Sequence, residues 1–243
     1  MSMNGFDHGN RGIGVRDHQL ILPSVVCSTH ISRKIANQVG AITFAHQNGC
    51  GIIGQDVSGI DNFFIALANH PNVQSALVVS LGCETTQGPE LLPKIDQQLS
   101  DLLVIQDAGG ANATYEKGVA LAEKLRGENP SSKASLDKLI IGIDNAAGIE
   151  LSPLASELTK ANHQVEIASD NSTTNLATLM RKKVHLILSF PDLNQPPTGL
   201  PLIPVINIAT DSALHTALIN EFDLPSNYTI NQLLDLINQV VNG

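Results

Sequence analysis

Short apolar runs alternate with amphipathic stretches along the first half of the chain. Four runs rich in Leu, Ile, Val and Ala predict strands, at residues 20–26, 41–45, 76–82 and 102–105. Between the first two, Ile31, Ile35 and Val39 recur every four residues and Gly40 follows, a pattern that predicts a helix ending at this glycine. Further helices are predicted over 60–69, from Pro89, and over 113–126. The polar residues 1–18 read as an extended arm or loop.

A second series of elements follows a polar, turn-rich stretch at 127–133. Its predicted strands are 139–143, 165–168, 184–188 and 203–208, and its predicted helices 151–162, 173–182, 211–221 and 229–241. Strands that alternate with helices indicate parallel sheets joined by right-handed crossovers. We therefore predict an α/β fold of two Rossmann-like lobes with mainly parallel sheets flanked by helices, one over 1–127 and one over 128–243.

Composition narrows the class of protein. The chain has 243 residues, of which 42% are hydrophobic but only 3% aromatic, so the core is expected to be aliphatic. A net charge of −9 and the lack of a Lys/Arg block argue against nucleic-acid binding. No apolar run approaches the ~20 residues of a membrane span, and three cysteines do not make a disulfide framework. With no secretory leader pattern, a cytoplasmic protein is expected.

Each of the three cysteines ends an apolar run. If these runs are parallel strands, Cys27, Cys50 and Cys83 emerge at the carboxyl edge of one sheet, where open α/β sheets bind ligands. A lone cysteine is usually buried core, and that reading stays open for each one. Their shared position favours a metal or catalytic pocket instead, and thiolates prefer iron or similar divalent ions over Mg²⁺.

Other polar residues accompany the cysteines. His46, four residues before Cys50, is a candidate acid/base or ligand, although a hydrogen-bonded loop histidine is equally compatible. Glu84 adjoins Cys83 as a candidate ligand, base or partner of a helix dipole, and Gln87 lies just beyond it.

Two further segments are candidates for binding an anion. Gly109 and Gly110 precede a predicted helix and form either an anion-cradling turn or an ordinary one. Arg11 and Arg16 flank a Gly-rich part of the arm, where a guanidinium could hold a carboxylate or simply be solvated.

Several segments together resemble the altronate/galactarate dehydratase family. They are Gly12-Ile13-Gly14-Val15-Arg16-Asp17 ("GRVGTRN"), Val26-Cys27-Ser28 ("VNCS"), His46-Gln47-Asn48-Gly49-Cys50-Gly51 ("THGTGCG"), His70 to Glu84 with Gln87 ("HPNVGAVLVVGLGCE..Q") and Ile105-Gln106 with Gly109-Gly110 ("IQ..GGT"). The second lobe departs from the family, because Ile143 to Gly148 replaces "QCGGSDG" and a long insert is missing. Pro204 to Thr210 is again similar to "APVIKLATNTPLY". The chain thus resembles a shortened member.

The resemblance implies a metal-dependent lyase that dehydrates a small acidic sugar. It implies a divalent metal, expected to be iron, at Cys27, Cys50 and Cys83, with His46 and Glu84 as acid/base residues. Arg16, Asp17, Gln87, Gly109 and Gly110 are then expected to bind the substrate. The competing hypothesis is a non-catalytic, truncated paralogue that binds a ligand or a partner subunit. A homo-oligomer or a second subunit is compatible with either.

Overall fold

The computed structural model describes residues 3–44, 56–128, 130–192 and 197–243. Its chain divides into two compact units, which we call the amino-terminal unit (Asp7–Ser132) and the carboxyl-terminal unit (Lys133–Gly243 with Met1–Phe6). The predicted lobe boundary at 127/128 lies in the same polar stretch as this division. None of the described helices is both long and apolar enough to cross a membrane.

The amino-terminal unit is built on a four-stranded parallel sheet with the order β4-β3-β5-β6. Its elements are β2 (Ile13–Gly14), β3 (His18–Pro23), α1 (Val26–Val39), β4 (Ile42–Thr43), α2 (Asp56–Ala68), β5 (Val73–Ser80), α3 (Gly88–Leu91), β6 (Ser100–Val104), α4 (Ile105–Ala108) and α5 (Ala111–Glu128), with single 3₁₀ turns at Gly9–Arg11, Leu92–Lys94 and Gln97–Leu99. The order reverses at the centre, because β3 leads through α1 to β4 on one side while β5 leads to β6 on the other.

The predicted helix before Gly40 is present as α1, and Gly40 caps it in the left-handed conformation at φ 67°. Its buried face, which includes Ile31, Ile35 and Ala36, packs with Ile21, Leu77 and Val79 of the sheet and with Ala122 and Leu125 of α5. Every residue of β5 is buried, as expected for the central strand of a covered parallel sheet. The aliphatic core predicted from composition is confirmed.

The carboxyl-terminal unit repeats the same topology. Its parallel sheet has the order β9-β8-β10-β11, in which the strands stand as second, first, third and fourth along the chain, as they do in β4-β3-β5-β6. Its elements are β1 (Met3–Asp7), β7 (Ser132–Leu136), β8 (Ile140–Asn145), α6 (Ser152–Lys160), β9 (Gln164–Ala168), α7 (Ser172–Arg181), β10 (Leu186–Phe190), β11 (Val205–Asn207), α8 (Ser212–Ala217) and α9 (Ile230–Asn242), with a 3₁₀ turn at Ile219–Glu221. The prediction of two Rossmann-like lobes with parallel sheets is confirmed.

Three short strands were not predicted, namely β2, which lies in the expected arm, and the polar strands β1 and β7. Residues 1–18 were expected to be an arm or loop, but β1 lies within them and pairs with β7, which begins in the supposed break at 127–133. Both strands contain few apolar residues, and three of the five residues of β7 are exposed. Strands of this kind lack the hydrophobic alternation from which a strand is predicted.

A close approach of α1 and α5 generates a stability prediction. A Cβ at Gly118 of α5 would lie 2.3 Å from Ile35 Cδ1 and 3.3 Å from Leu103 Cδ2, whereas a Cβ at Gly127 of the same helix would have no neighbour within 4 Å. We expect Gly118→Ala to destabilise the protein by about 1–3 kcal/mol through overpacking. Gly127→Ala should instead stabilise it by about 0.5–1 kcal/mol through helix propensity. Urea unfolding of both variants checks the opposite signs.

A double variant tests the cause. Ile35→Val removes the Cδ1 atom that the new methyl group would meet, so Gly118→Ala should cost less in that background than in the wild type. Equal costs in both backgrounds would contradict the steric explanation.

Candidate functional site

The candidate site lies at the carboxyl ends of β3 and β5, the two adjacent strands at which the strand order reverses. In open α/β sheets the connections diverge at this point and leave a crevice in which ligands bind. Ser24 follows β3, Ser80 ends β5, and Glu84 lies in the loop after β5. The topology therefore brings two hydroxyl groups and a carboxylate to one edge.

Glu84 is the centre of this arrangement and is only 2% exposed. Its Oε1 accepts a hydrogen bond from the Ser24 hydroxyl at 2.7 Å and one from the Leu81 N–H at 3.0 Å. Its Oε2 accepts from the Gly82 N–H at 2.6 Å. The hydroxyls of Ser24 and Ser80 are themselves 3.1 Å apart. A buried carboxylate requires such partners, since leaving it without them costs several kcal/mol.

These neutral donors decide the protonation of Glu84. Burial is the largest single effect and raises the pKa, but the hydrogen bonds from Ser24, from backbone N–H groups and from Ser80 together outweigh it, so the pKa is lowered from 4.5. The group is ionised at neutral pH, and its proton affinity is low for a general base, which works best with a pKa near the operating pH. The geometry suits a hydrogen-bond acceptor better than a base.

The glycines around the site allow this close packing. Gly82 has a φ of +115°, and a Cβ there would lie 2.7 Å from Gln106 Oε1. A Cβ at Gly88 would lie 2.1 Å from Ser80 Oγ. The Gly82 N–H donates to the Glu84 carboxylate, and residues with a side chain rarely adopt the positive φ found at this position. Sequence reasoning missed Ser24 and Ser80, for which the signal was a small hydroxyl residue at the end of each buried run.

The structure shows where two of the three cysteines lie. Cys27 is in the first turn of α1 and Cys83 is in the loop after β5, so both follow the ends of adjacent strands, as predicted, and both are exposed. His46 and Cys50 lie outside the described residues. Within the described residues no group of three or more His, Cys, Asp or Glu side chains is placed to hold a metal ion. The described residues alone therefore do not make a metal site, and the shared pocket of the three thiols stays a prediction.

The glycine pair and Gln87 have local structural roles. Gly109 and Gly110 have φ values of +95° and +97° and join α4 to α5. The Gly110 carbonyl accepts hydrogen bonds from the N–H and the hydroxyl of Thr114 at 2.9 and 2.8 Å. The Gln87 amide donates to the Glu84 carbonyl. Backbone geometry explains both glycines, and substrate contact by these residues stays a prediction.

Asp17 and Arg16 are engaged within the amino-terminal unit. Asp17 Oδ1 lies 2.9 Å from Nε2 of the buried His8, whose Nδ1 lies 2.6 Å from the Pro71 carbonyl, and the Ser131 hydroxyl donates to the same Asp17 oxygen. The Arg16 guanidinium donates to the Val15 carbonyl at 2.8 Å, and burial lowers its pKa. Their predicted role in substrate binding remains untested by these contacts.

Arg11, the second arginine of the predicted arm, is a buried structural residue rather than a solvated one. Its guanidinium donates to the Ala68 carbonyl at 2.7 Å and to the Ser100 hydroxyl at 2.8 Å. Burial lowers its pKa to about 10, although the charge of Asp96, 3.9 Å away, raises it. The polar segment 9–14 is thereby attached to the sheet through an arginine.

Comparison with known proteins supplies the family. The model of "D-galactarate dehydratase/Altronate hydrolase, second domain" matches residues 5–129, which include every element of the crevice just described. The chain belongs to this family. The match covers the amino-terminal unit, where the motifs that carry the resemblance stand.

Two curated relatives agree with this assignment. The altronate dehydratase of Escherichia coli is 30% identical over 115 residues, which cover 42% of this chain and 23% of that protein. The altronate dehydratase of Bacillus subtilis is 25% identical over 176 residues, covering 63% of this chain and 35% of that protein. The matched part of this chain thus spans about a quarter to a third of each relative.

The hydrogen bonds of Glu84 generate a pH prediction. Because its folded pKa is lowered, the stabilisation is present above the unfolded value of 4.5 and is lost as the pH falls through the folded pKa. Glu84→Gln places an amide against N–H donors and should cost about 1–3 kcal/mol at pH 7. Its cost should shrink at a pH below 4.5.

Urea unfolding at pH 7 and at pH 3 measures the cost of Glu84→Gln at each pH. Glu90→Gln, at an exposed carboxylate of α3, is the control and should change little at either pH. A Glu84→Gln cost that is the same at both values would contradict the ionised, hydrogen-bonded state.

Proposed function

We propose that this chain binds a sugar acid of the altronate or galactarate class at the β3/β5 edge and removes water from it. The observation that carries the proposal is the Ser24–Ser80–Glu84 arrangement at the strand reversal, inside the segment matched by the family. The names of the two relatives support the class of substrate. Their activity is that of proteins much longer than the part matched by this chain.

The start of α1 offers a place for the substrate carboxylate. This 14-residue helix begins directly after Ser24, and its N-cap residue Val25 provides no side-chain cap. The first-turn residues Val26 and Cys27 are exposed, so the positive end of the helix is accessible to solvent. An anion at such a helix start is favoured by the N–H groups and by the helix dipole.

Hydroxyl recognition is assigned to the same edge. Glu84 is an ionised acceptor, and a substrate hydroxyl can replace one of the donors from which it now accepts. The Ser24 hydroxyl reaches both Ser80 and Glu84, so it can exchange one partner for a substrate oxygen. An acidic, hydroxyl-rich molecule fits this combination of helix start and acceptors.

Dehydration requires a base for the proton next to the carboxylate and an acid for the departing hydroxide. The lowered pKa of Glu84 makes it a weak base, so we assign the base to His46 and keep Glu84 as the acceptor that orients a substrate hydroxyl. An imidazole has a pKa near neutrality, so it can both accept a proton and donate one. Holding the substrate against it supplies much of the rate by proximity.

A second candidate function is binding without turnover. The low proton affinity of Glu84 favours it, since a carboxylate with a lowered pKa is a poor base at neutral pH. The loss of the family's "QCGGSDG" segment from the second half of the chain points the same way.

A divalent metal remains part of the proposal only through the segment that contains His46 and Cys50. The exposed thiols of Cys27 and Cys83 are suitable ligands for iron, but they require further donors. The proposed binding of the carboxylate and hydroxyl groups and the proton transfer by His46 do not require the metal.

Ligand binding and turnover separate the two functions. We expect galactarate or altronate to raise the stability by about 2.7 kcal/mol at a concentration of 100 Kd. Ser24→Ala should weaken binding about tenfold, since it removes one hydrogen bond to the site. Ser32→Ala, which removes a buried hydroxyl bonded to the Ser28 carbonyl within α1, is the matched control and should bind as the wild type does.

A dehydration assay on the same acids, with added Fe²⁺, completes the test. Turnover by the wild type supports the lyase, and binding without turnover supports the second candidate. Absence of stabilisation by either acid contradicts both.

Metal content is tested separately. Elemental analysis of anaerobically purified protein should find iron or another divalent transition metal in the wild type and markedly less in Cys50→Ser, because a thiolate ligand is lost. Cys27→Ser and Cys83→Ser should each lower it as well. Negligible metal in the wild type would contradict this part of the proposal.

A further inference from the structure

A second crevice lies in the carboxyl-terminal unit, at the carboxyl edge of its sheet. It has a volume of about 400 Å³ and is lined by Phe190 at the end of β10, by residues that follow β8 and β11, by α6 and by the start of α9. We propose that this crevice binds a small organic amine, a protonated ammonium group on an apolar body. The ligand class differs from that of the β3/β5 edge, and the proposal does not depend on the proposed function.

The crevice stands where the topology predicts a site. In this sheet the strand order reverses between β8 and β10, as it does between β3 and β5, and ligands bind at such reversals. The loop after β8 is fixed by Asn145, whose side chain donates to the Ile149 carbonyl at 2.9 Å and accepts from the Ile149 N–H at 3.0 Å. One wall is therefore formed before a ligand arrives, which reduces the entropic cost of binding.

The charge of the lining selects against anions. Glu150 and Glu157 both line the crevice, and none of the described residues lining it is Lys, Arg or His. Glu150 accepts from the Ser152 N–H at the start of α6 at 2.7 Å, and the side chain and backbone of Ser152 lower its pKa, so it stays ionised. This carboxylate also occupies the positive end of α6, a position that an anionic ligand would otherwise use.

Glu157 is paired with Lys160 at 2.6 Å, but this pair lies in solvent, with 69% of the lysine side chain exposed. Exposed pairs of this kind are weak and exchange readily. A ligand ammonium can therefore replace Lys160 as the partner of Glu157.

The remaining lining suits the apolar body and the N–H groups of an amine. Leu151 and Phe190 are buried and form an apolar surface, and Tyr228 also lines the crevice. Burial raises the pKa of Tyr228, so its hydroxyl stays neutral. The Thr210 hydroxyl oxygen is buried and has no hydrogen-bond partner among the described residues. An ammonium group in the crevice would be attracted by the aromatic rings and could donate a hydrogen bond to the Thr210 oxygen.

The test compares three probes that share one skeleton, with the full chain at low ionic strength. Phenethylamine, 2-phenylethanol and phenylacetate differ only in the polar group, which is a cation, a neutral hydroxyl and an anion at pH 7. We expect saturable binding of phenethylamine by isothermal titration or by NMR shifts of residues lining the crevice. Phenylacetate should bind at least tenfold more weakly, and the affinity for the amine should fall as salt is added.

Three variants locate the binding. Glu150→Gln keeps an oxygen that can accept from the Ser152 N–H, so the helix start is preserved while the charge is lost. This variant and Glu157→Gln should each weaken amine binding about twofold to fivefold. Glu166→Gln, which removes a partly buried carboxylate of β9 that is paired with Lys182 and lies outside the lining, is the control and should have no effect.

Two results would overturn the proposal. One is binding of 2-phenylethanol as tight as that of phenethylamine, since the carboxylates would then contribute nothing. The other is the absence of saturable amine binding by a wild-type protein whose fold is verified by its cooperative unfolding. Neither result bears on sugar-acid binding at the β3/β5 edge, which Ser24→Ala tests.

Discussion

The hydrogen bonding of one buried carboxylate determines how the amino-terminal unit is organised at its functional edge. Glu84 is 2% exposed, and its acceptors are satisfied by the Ser24 hydroxyl and by the N–H groups of Leu81 and Gly82. These bonds join the end of β3 to the loop after β5. Because the donors are neutral, the negative charge is retained at the edge rather than cancelled by a cation. The loop conformation, the glycine at 82 and the ionisation of the carboxylate all depend on this arrangement.

The carboxyl-terminal unit also has a buried carboxylate near its strand reversal, and different residues supply its hydrogen-bond donors. Asp144 at the end of β8 is fully buried, and its two oxygens accept from Asn175 at 2.6 Å and from Ser189 at 2.8 Å. Ser189 lies on β10, which occupies in its sheet the position that β5, with Ser80, occupies in the other. In both sheets a carboxylate near the strand reversal is held by a serine from the neighbouring strand. Parallel strands end together there, so polar side chains that leave the core need each other as partners.

The two edges nevertheless present different chemistry to a ligand. At β3/β5 the acid is buried, an uncapped helix start is exposed, and the accessible donors favour an anion. At β8/β10 the buried acid is Asp144, but two further carboxylates line the crevice and one of them caps α6. A helix start occupied by Glu150 is no longer an anion site. On the two proposals, the repeated topology carries two crevices of opposite ligand preference, and side chains outside the sheets decide the difference.

Periodic patterns predicted the fold, and polar contacts decided the parts that were missed. The helix before Gly40 and the buried strands could be predicted because burial alone places their apolar residues. The strands β1 and β7 could not, since backbone pairing and not an apolar face holds them. Arg11 shows the same limit, because its guanidinium is buried by contacts to Ala68 and Ser100, which are distant in sequence. Two of the thiols were placed at the predicted edge from strand ends alone.

The roles of Glu84 and Ser24 required the structure. A glutamate after a strand is compatible with a base, a ligand or an acceptor, and the sequence does not distinguish them. The distances do, because donors close to the carboxylate, among them the Ser24 hydroxyl and the Gly82 N–H, lower its pKa. For Glu84 to accept the proton of a substrate, these bonds would have to be broken or weakened, and each is worth about 1.5–3 kcal/mol when the acceptor is charged. A base with fewer donors abstracts the same proton at a lower cost. In the proposed reaction, Glu84 is therefore better suited to hold the substrate than to take its proton.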